Sequence, residues 1–317
     1  MQPATATRSA TALLASRGPL RWRLAGRLAA ALPDVRGRDR LTGWVRGPRT
    51  AYTGPLSGRL TNGMCFEVDD CRDGSLRDLL ELSYRPPALA AVFDAILGPG
   101  DCCYDVGANI GIYTLWAAGR VRRTGEVHAF EPVPRTRATL ARLVEQNGLT
   151  QVRLSSAAVA ATAGTVGMRV YPDASGLAHQ AFDGMEPQLT VFATTLDLHA
   201  SRHRPPDLVK IDVEGFELEV LHGAGELLRT RRPALLLEML PSHLARMGRA
   251  RQAELVSLLA GAGYQIFNLT RQGLAGQGLA GPGAFSANVL ALHDRWGRYD
   301  RVVAALQRTP MPRNQTT

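Results

Sequence analysis

From residue 101 onward, short apolar runs alternate with amphipathic stretches, and this alternation constrains the fold more than any other feature of the sequence. The main apolar runs are CCYDV (102–106), EVHAFE (126–131), DLVKID (207–212) and ALLLEM (234–239). Strands that are apolar on both faces are typical of parallel sheets covered by helices on both sides. Two further apolar runs follow, YQIFNL (264–269) and ANVLALH (287–293). They have no helix between them, which predicts that they form an antiparallel edge of the sheet.

The stretches between these runs predict the helices and one hairpin. Apolar residues at helical spacing indicate helices at 112–121, 136–148, 216–228 and 253–263. TVGMRVY (165–171) and QLTVFATTL (188–196) predict a β-hairpin, and MCFEV (64–68) predicts a short strand nearer the N-terminus.

The net charge of +9 is a property of the N-terminal segment. Residues 1–49 hold ten arginines against two aspartates, a net +8, so the remaining chain carries only +1. A nearly neutral body without a basic stripe excludes the phosphate contacts on which nucleic-acid binding depends, and we predict no nucleic-acid partner. No apolar run reaches the length of a membrane span, and no apolar core precedes a cleavage site. We therefore expect a cytoplasmic protein without an integral membrane segment.

Composition and periodicity divide the chain into five predicted segments. Leu20, Leu24, Leu28 and Leu32 recur every fourth residue, which indicates an amphipathic helix. That helix either docks on its own domain or makes a weak contact with a membrane surface or partner through residues 20–32. The predicted segments are a disordered basic tail (1–19), the helix and a linker (20–57), an extension that caps the substrate side (58–100), the α/β domain (101–295), and a C-terminal helix and tail (296–317).

A glycine-rich turn, YDVGANIG (104–111), follows the first strand of the α/β domain. In open α/β sheets, ligands bind beyond the carboxyl ends of the strands, where the strand order reverses. The turn lacks the third glycine of G-x-G-x-x-G and has no G-x-x-x-x-G-K-[ST] run, so we expect neither a dinucleotide nor a nucleoside triphosphate. Gly107 and Gly111 would let the main chain approach some other ligand.

Two carboxylates lie close to this turn in the predicted sheet. Glu131 ends the second strand and is either a solvated strand-end residue or an acceptor for two ribose hydroxyls. Asp105 precedes the turn and is either a turn or capping residue or a partner for a cationic ammonium group.

YDVGANIG, HAFEP and LVKIDVEGFELEVLHGA together resemble the FkbM-type S-adenosylmethionine-dependent methyltransferases. The resemblance spans about 60–292, with ordered landmarks at 104–111, 126–132, 155–159, 195–197 and 207–224. It implies a class I methyltransferase fold, a Rossmann-like sheet of seven mostly parallel strands with an antiparallel C-terminal edge strand and helices on both faces. It also implies that S-adenosylmethionine lies over the turn at Gly107, Asn109 and Gly111, and that Glu131 holds its ribose.

The segment KIDVEGFE supplies candidate catalytic groups at the tip of the fourth strand. Asp212 and Glu214 are predicted at the same sheet edge as the glycine turn, where a reaction site would form. Lys210 is expected to form a partly buried ion pair, and Glu217 to be solvated on the next helix. His243, which follows the fifth strand, is either a third candidate for the general base or a surface histidine at the start of a helix.

The same carboxylates raise the question of a metal. Asp212, Glu214 and Glu238 could together bind a divalent cation, but carboxylates near a cationic sulfonium need no metal. We therefore predict no metal site.

The predicted reaction is methyl transfer to a hydroxyl of a small molecule, natural product or sugar. Enzymes that methylate base amino groups carry Asn/Asp-Pro-Pro-aromatic at the fourth strand tip, where this chain has Asp-Val-Glu-Gly (212–215). Two alternatives remain: a non-catalytic donor-binding protein of the same fold, and a nicotinamide oxidoreductase, which the missing glycine disfavours. The walls of the acceptor pocket are expected from 58–100, 160–195 and 270–285.

Overall fold

Strands form along the apolar runs of the chain. The computed structural model describes residues 20, 24, 28, 54–68, 89–171, 178–181, 184–239, 241–270, 273–275 and 288–307. Its strands are β1 (Leu56–Arg59), β2 (Cys65–Val68), β3 (Cys102–Val106), β4 (Glu126–Phe130), β5 (Val152–Ser155), β6 (Ala158–Val159), β7 (Gly164–Arg169), β8 (His179–Gln180), β9 (Leu189–Thr194), β10 (Leu208–Ile211), β11 (Ala234–Glu238), β12 (Tyr264–Thr270), β13 (Gly273–Ala275) and β14 (Asn288–His293).

Helices occupy most of the amphipathic stretches between the strands. They are α1 (Ala90–Ile96), α2 (Ile112–Val121), α3 (Pro134–Gln146), α4 (Leu196–Ala200), α5 (Glu217–His222), α6 (Gly225–Thr230), α7 (Pro241–Gly261) and α8 (Tyr299–Gln307). Helix α2 has the predicted bounds. The helix predicted at 216–228 is divided into α5 and α6, and α7 begins at residue 241 rather than at the predicted 253.

One mixed sheet lies at the centre of the structural unit formed by residues 87–317. Its strand order is β13-β12-β14-β11-β10-β3-β4-β5. The five strands from β5 to β11 are parallel, whereas β14 pairs antiparallel with both β11 and β12. This order confirms the predicted mostly parallel class I methyltransferase sheet with an antiparallel C-terminal edge. The three-residue strand β13 extends the predicted seven strands to eight.

Burial on both faces explains why the central strands lack polar alternation. Every residue of β3, β10 and β14 is buried. One core cluster packs one face of the sheet against the inner sides of α5, α6 and α7. Helix α2 packs on β3 and β4 and also contacts α1. From β3 the chain continues to β4 on one side of the sheet and later places β10 on the other side of β3. This change of direction makes the carboxyl end of β3 the expected ligand position.

A second sheet, of four short strands, interrupts the alternation after β5. Its order is β6-β9-β7-β8, and β7 and β9 form the predicted antiparallel hairpin. Strands β6 and β8 have two residues each and were not predicted.

Residues 1–86 form a separate structural unit. Strands β1 and β2 pair antiparallel, and the inward-facing Leu56, Phe66 and Val68 are buried. Leu20, Leu24 and Leu28 are helical, as the four-residue spacing predicts. The rest of that predicted helix, the basic tail and the linker as far as residue 53 lie outside the described residues, and β1 begins within the segment 20–57 that was predicted as helix and linker.

Candidate functional site

The turn after β3 adopts a left-handed backbone at three positions. Gly107 has φ +77°, Asn109 has φ +50° and Gly111 has φ +94°. A Cβ on Gly107 would lie 1.9 Å from the carbonyl oxygen of Asp212, and a Cβ on Gly111 would lie 2.2 Å from Cδ1 of Leu140. Glycine is therefore required here because the main chain packs against the end of β10 and against α3, which is a different reason from the predicted approach of a ligand.

A cleft opens beside this turn, at the carboxyl ends of β3, β4 and β10. Its polar groups come from Gly107, Asn109, Glu131 and Asp212. The second sheet adds Met168, His179 and Gln180, which belong to the insertion expected to form part of a pocket wall. Apolar side chains complete the lining, namely Val106, Phe130, Pro132, Val133, Ala158, Val159, Val213 and Phe216.

Glu131 lies in this cleft and is buried, with 6% of its surface exposed. One carboxylate oxygen accepts the backbone N–H of Asn109 and the other accepts that of Val133, each at 2.8 Å. Burial raises the pKa of Glu131 to about 7, although these two hydrogen bonds act in the opposite direction. The carboxylate is thus fixed in orientation, and each oxygen keeps a lone pair for a further donor.

Asp105 is fully buried and is not part of the cleft lining. Its Oδ2 accepts a hydrogen bond of 2.6 Å from the Thr114 hydroxyl, and its Oδ1 lies 3.5 Å from the Nζ of Lys210. The cation that Asp105 contacts is therefore the lysine of the neighbouring strand.

Lys210 forms the predicted ion pair, in a more buried position than expected. Its side chain is 3% exposed, and its Nζ lies 3.0 Å from Oδ2 of Asp212, whose side chain is 22% exposed. Burial alone would lower the pKa of Lys210, but the surrounding carboxylates outweigh burial and raise it. Asp212 is consequently held beside a permanent positive charge while part of its carboxylate faces the cleft.

Glu238, which the sequence suggested only as a possible metal ligand, belongs to the same cluster of charged residues. It ends β11, and the register of the two strands places it beside Asp212 at the end of β10. Burial and then the charge of Asp212 raise the pKa of Glu238 well above its ordinary value. In the sequence, Glu238 and Asp212 each come at the end of a predicted strand, and this shared position indicates that the two residues are neighbours.

The loop after β10 places two further glutamates. Glu214 is buried and has φ +59°, a backbone conformation that non-glycine residues rarely adopt. Glu217 is completely buried rather than solvated as predicted, because its Oε1 accepts the backbone N–H of Gly215 at 3.1 Å. Glu217 therefore fixes the loop that carries Glu214.

His243 lies in the first turn of α7, and its side chain is outside the described residues. Within the part of the chain that the structure describes, no group of three or more His, Cys, Asp or Glu side chains is arranged to hold a metal ion. Among the same residues, no helix is both long and apolar enough to cross a bilayer.

A comparison with known families decides what kind of protein this cleft serves. Residues 105–266, which include the turn, Glu131 and the Lys210–Asp212 pair, match the Methyltransferase FkbM domain. The chain belongs to the FkbM methyltransferase family. Family membership supports a methyltransferase over the two alternatives from the sequence.

Two named methyltransferases are similar to parts of this chain. The chain is 41% identical over 80 residues to the 31-O-demethyl-FK506 methyltransferase FkbM of Streptomyces tacrolimicus, a match that covers 25% of this chain and 30% of that protein. It is 26% identical over 185 residues to the hexuronic acid methyltransferase AglP of Haloferax volcanii, covering 57% of this chain and 70% of that protein.

A solved FkbM methyltransferase from Methylobacillus flagellatus KT is also similar. Its identity is 18% and its TM-score 0.39, and the match covers 71% of this chain and 55% of that chain.

Proposed function

We propose that this FkbM methyltransferase transfers a methyl group from S-adenosylmethionine to a neutral hydroxyl of a small molecule or sugar. The observation that carries the proposal is a single cleft lined by two different carboxylates. Glu131 is fixed by backbone N–H groups, whereas Asp212 is held by Lys210. The first suits a ligand with vicinal hydroxyls, and the second suits a group that must lose a proton.

The donor fits the residues around Glu131. Each oxygen of Glu131 has one lone pair beyond its backbone bond, so the carboxylate can accept both ribose hydroxyls. Gly107 and Asn109 offer main chain beside it, and Phe130, Val159 and Phe216 offer apolar surface. When bound, S-adenosylmethionine supplies a methyl group on a positively charged sulfur, and the acidic residues of the cleft favour a cation.

Asp212 is the general base in this proposal. A hydroxyl becomes nucleophilic as its proton leaves, so a carboxylate must lie within hydrogen-bond reach of it. Among Lys210, Asp105 and Asp212, only Asp212 both lines the cleft and retains an exposed carboxylate surface. Glu214 and His243 remain the other proposed candidates.

The acceptor is proposed to be neutral where it reacts. Asp212 and Glu214 both act electrostatically on Glu238, and Lys210 acts on it in the opposite direction. An anionic group placed beside these carboxylates would be repelled. The name of the FkbM relative refers to an oxygen of a natural product, which agrees with a hydroxyl acceptor.

The test measures donor binding and methyl transfer with the full-length chain. Calorimetry with S-adenosylmethionine should show binding that Glu131→Ala weakens by about 1.5–3 kcal/mol, the range for a hydrogen bond to a charged group. Mass spectrometry should detect methyl transfer to methyl α-D-glucopyranoside, a neutral probe, in preference to glucuronic acid. Asp212→Asn should lower kcat by about 10²–10⁴-fold without changing donor affinity. Exclusive methylation of the carboxylate probe, or an absence of donor binding, would refute the proposal.

A further inference from the structure

Asp212 and Glu238 lie side by side at the carboxyl ends of two adjacent strands. Strands β10 and β11 are parallel, with Ile211 opposite Leu237, so the next residue of each strand ends side by side with the other. Two carboxylates that share one site repel each other when both are ionised, so the site favours a proton on one of them. The raised pKa of Glu238, caused by burial and then by the charge of Asp212, agrees with this arrangement.

The groups around the pair determine how strongly that proton is held. Lys210 lies beside Asp212 and favours ionisation, whereas Glu214 from the following loop opposes it. The Tyr113 phenol from α2 also faces this group, and the Nζ of Lys210 lies 5.2 Å from the centre of its ring. Asp105, on the far side of Lys210, shares the positive charge. The Lys210 ammonium thus acts on several carboxylates, and two adjacent negative charges resist full ionisation.

We infer that Asp212 and Glu238 act as one unit that takes up the proton of the acceptor hydroxyl, with Asp212 contacting the acceptor and Glu238 positioned behind it. This inference rests on the proposed function. Methyl transfer forms an oxygen–carbon bond and breaks the methyl–sulfur bond, whose electron pair stays on sulfur. The hydroxyl proton passes to the doubly ionised pair, which returns to its stable state with one shared proton.

The pairing changes the basicity that Asp212 can offer. A lone aspartate beside Lys210 would be a weak base, because the ammonium stabilises its ionised form. When both members of the pair are ionised, their repulsion raises the affinity of the pair for a proton, as in other carboxylate dyads. The pair therefore binds a proton more tightly than a lone aspartate beside Lys210 would.

Carboxyl titration tests the shared proton without any acceptor. The full-length chain is labelled with ¹³C at the Glu and Asp side-chain carboxyls and followed by NMR from pH 4 to 9. One glutamate signal, absent in Glu238→Gln, should keep its proton well above the ordinary range, and its midpoint should fall in Asp212→Asn. Glu131→Gln separates the other raised signal, and Glu226→Gln, at an exposed carboxylate paired with Arg229, is the matched control. If Glu238 titrates with the surface glutamates, or if Asp212→Asn leaves its midpoint unchanged, the inference is overturned.

The pH profile of kcat with methyl α-D-glucopyranoside tests the role in proton uptake. The rate should rise with pH through the midpoint of the pair. Glu238→Gln should move that rise to lower pH and reduce the plateau at least tenfold, with donor affinity unchanged. Identical profiles for both proteins would overturn the inference while leaving the proposed function intact. Donor binding without transfer to any hydroxyl probe would instead refute the proposed function, and the titration would still decide whether the pair shares a proton.

Discussion

Glu131 should couple donor binding to proton release, and this coupling can be calculated from its surroundings. Burial raises the pKa of this carboxyl from an ordinary 4.5 to about 7, so about half of the donor-free molecules carry a proton there at pH 7. Ribose hydroxyls donate to the ionised form. Binding at pH 7 should therefore release about half a proton, and affinity should be about tenfold weaker at pH 6 than at pH 8, or about 1.4 kcal/mol.

Calorimetry in phosphate and in Tris measures this directly, because the two buffers have different enthalpies of protonation. Titrations with S-adenosylhomocysteine at pH 6, 7 and 8 give both the affinity and the number of protons released. Glu131→Gln has no carboxyl to titrate and reports any contribution of the ligand's own groups. If the wild-type and variant proteins show the same pH dependence, Glu131 does not hold the ribose in its ionised form.

The same pKa determines the pH dependence of stability in the donor-free protein. A carboxyl whose pKa is higher in the folded chain favours folding when protonated, so its contribution is complete below pH 4.5 and is lost as pH rises through 7. The loss amounts to at most about 3 kcal/mol. Urea unfolding should show this decline in the wild type and a flatter profile in Glu131→Gln.

Three further changes test the structure around the site. Gly107→Ala should cost more than about 3 kcal/mol of unfolding free energy and abolish donor binding, because the new Cβ would meet the backbone at the end of β10. Gly148→Ala is the control: Gly148 has φ +59° with open space around it, so this change should cost about 1–2 kcal/mol. Arg298→Ala should lower the free energy of unfolding by about 1–3 kcal/mol, because it removes two hydrogen bonds from the guanidinium to the Asp101 carboxylate, of 2.5 and 2.6 Å. Donor affinity should not change, because Arg298 is not among the residues that line the cleft. Deletion of residues 1–49 should leave donor affinity within about twofold, because the lining residues that the structure describes lie between 106 and 216. Urea unfolding measures the stability of each variant, and calorimetry measures its donor affinity.

The parallel sheet could be predicted because burial on both faces leaves a direct record in the sequence. Strands β3 and β10 are buried at every position, and complete burial of this kind is typical of strands in a parallel sheet covered by helices on both faces. The position of the cleft followed from the same reasoning, since the glycine turn comes directly after β3.

The missed elements depend on contacts that are distant in sequence. Strands β6 and β8 have two residues each and form only because β7 and β9 offer edges for pairing. The break between α5 and α6 is set at Gly223, where a Cβ would lie 2.3 Å from the carbonyl oxygen of Ala160. Propensity and periodicity carry no information about such contacts.

In the candidate site, too, some residues could be predicted from the sequence and others could not. Glu131 and Asp212 could be found because each follows an apolar strand. The burial of Glu217 could not, because an acidic residue at the start of a helix ordinarily faces water. Its role depends on the left-handed loop at Glu214, which becomes visible only in the folded chain.

The contact between Gly107 and the carbonyl of Asp212 has a consequence for how this enzyme can diversify. The two segments are in contact through main-chain atoms, so backbone geometry rather than side-chain rotamers sets the distance between the glycine turn and Asp212. The facing wall is built from side chains of a short, separate sheet that includes Met168 and His179. We therefore expect substitutions of those side chains to change which ligand the cleft accepts, while the distance between the glycine turn and Asp212 stays constant.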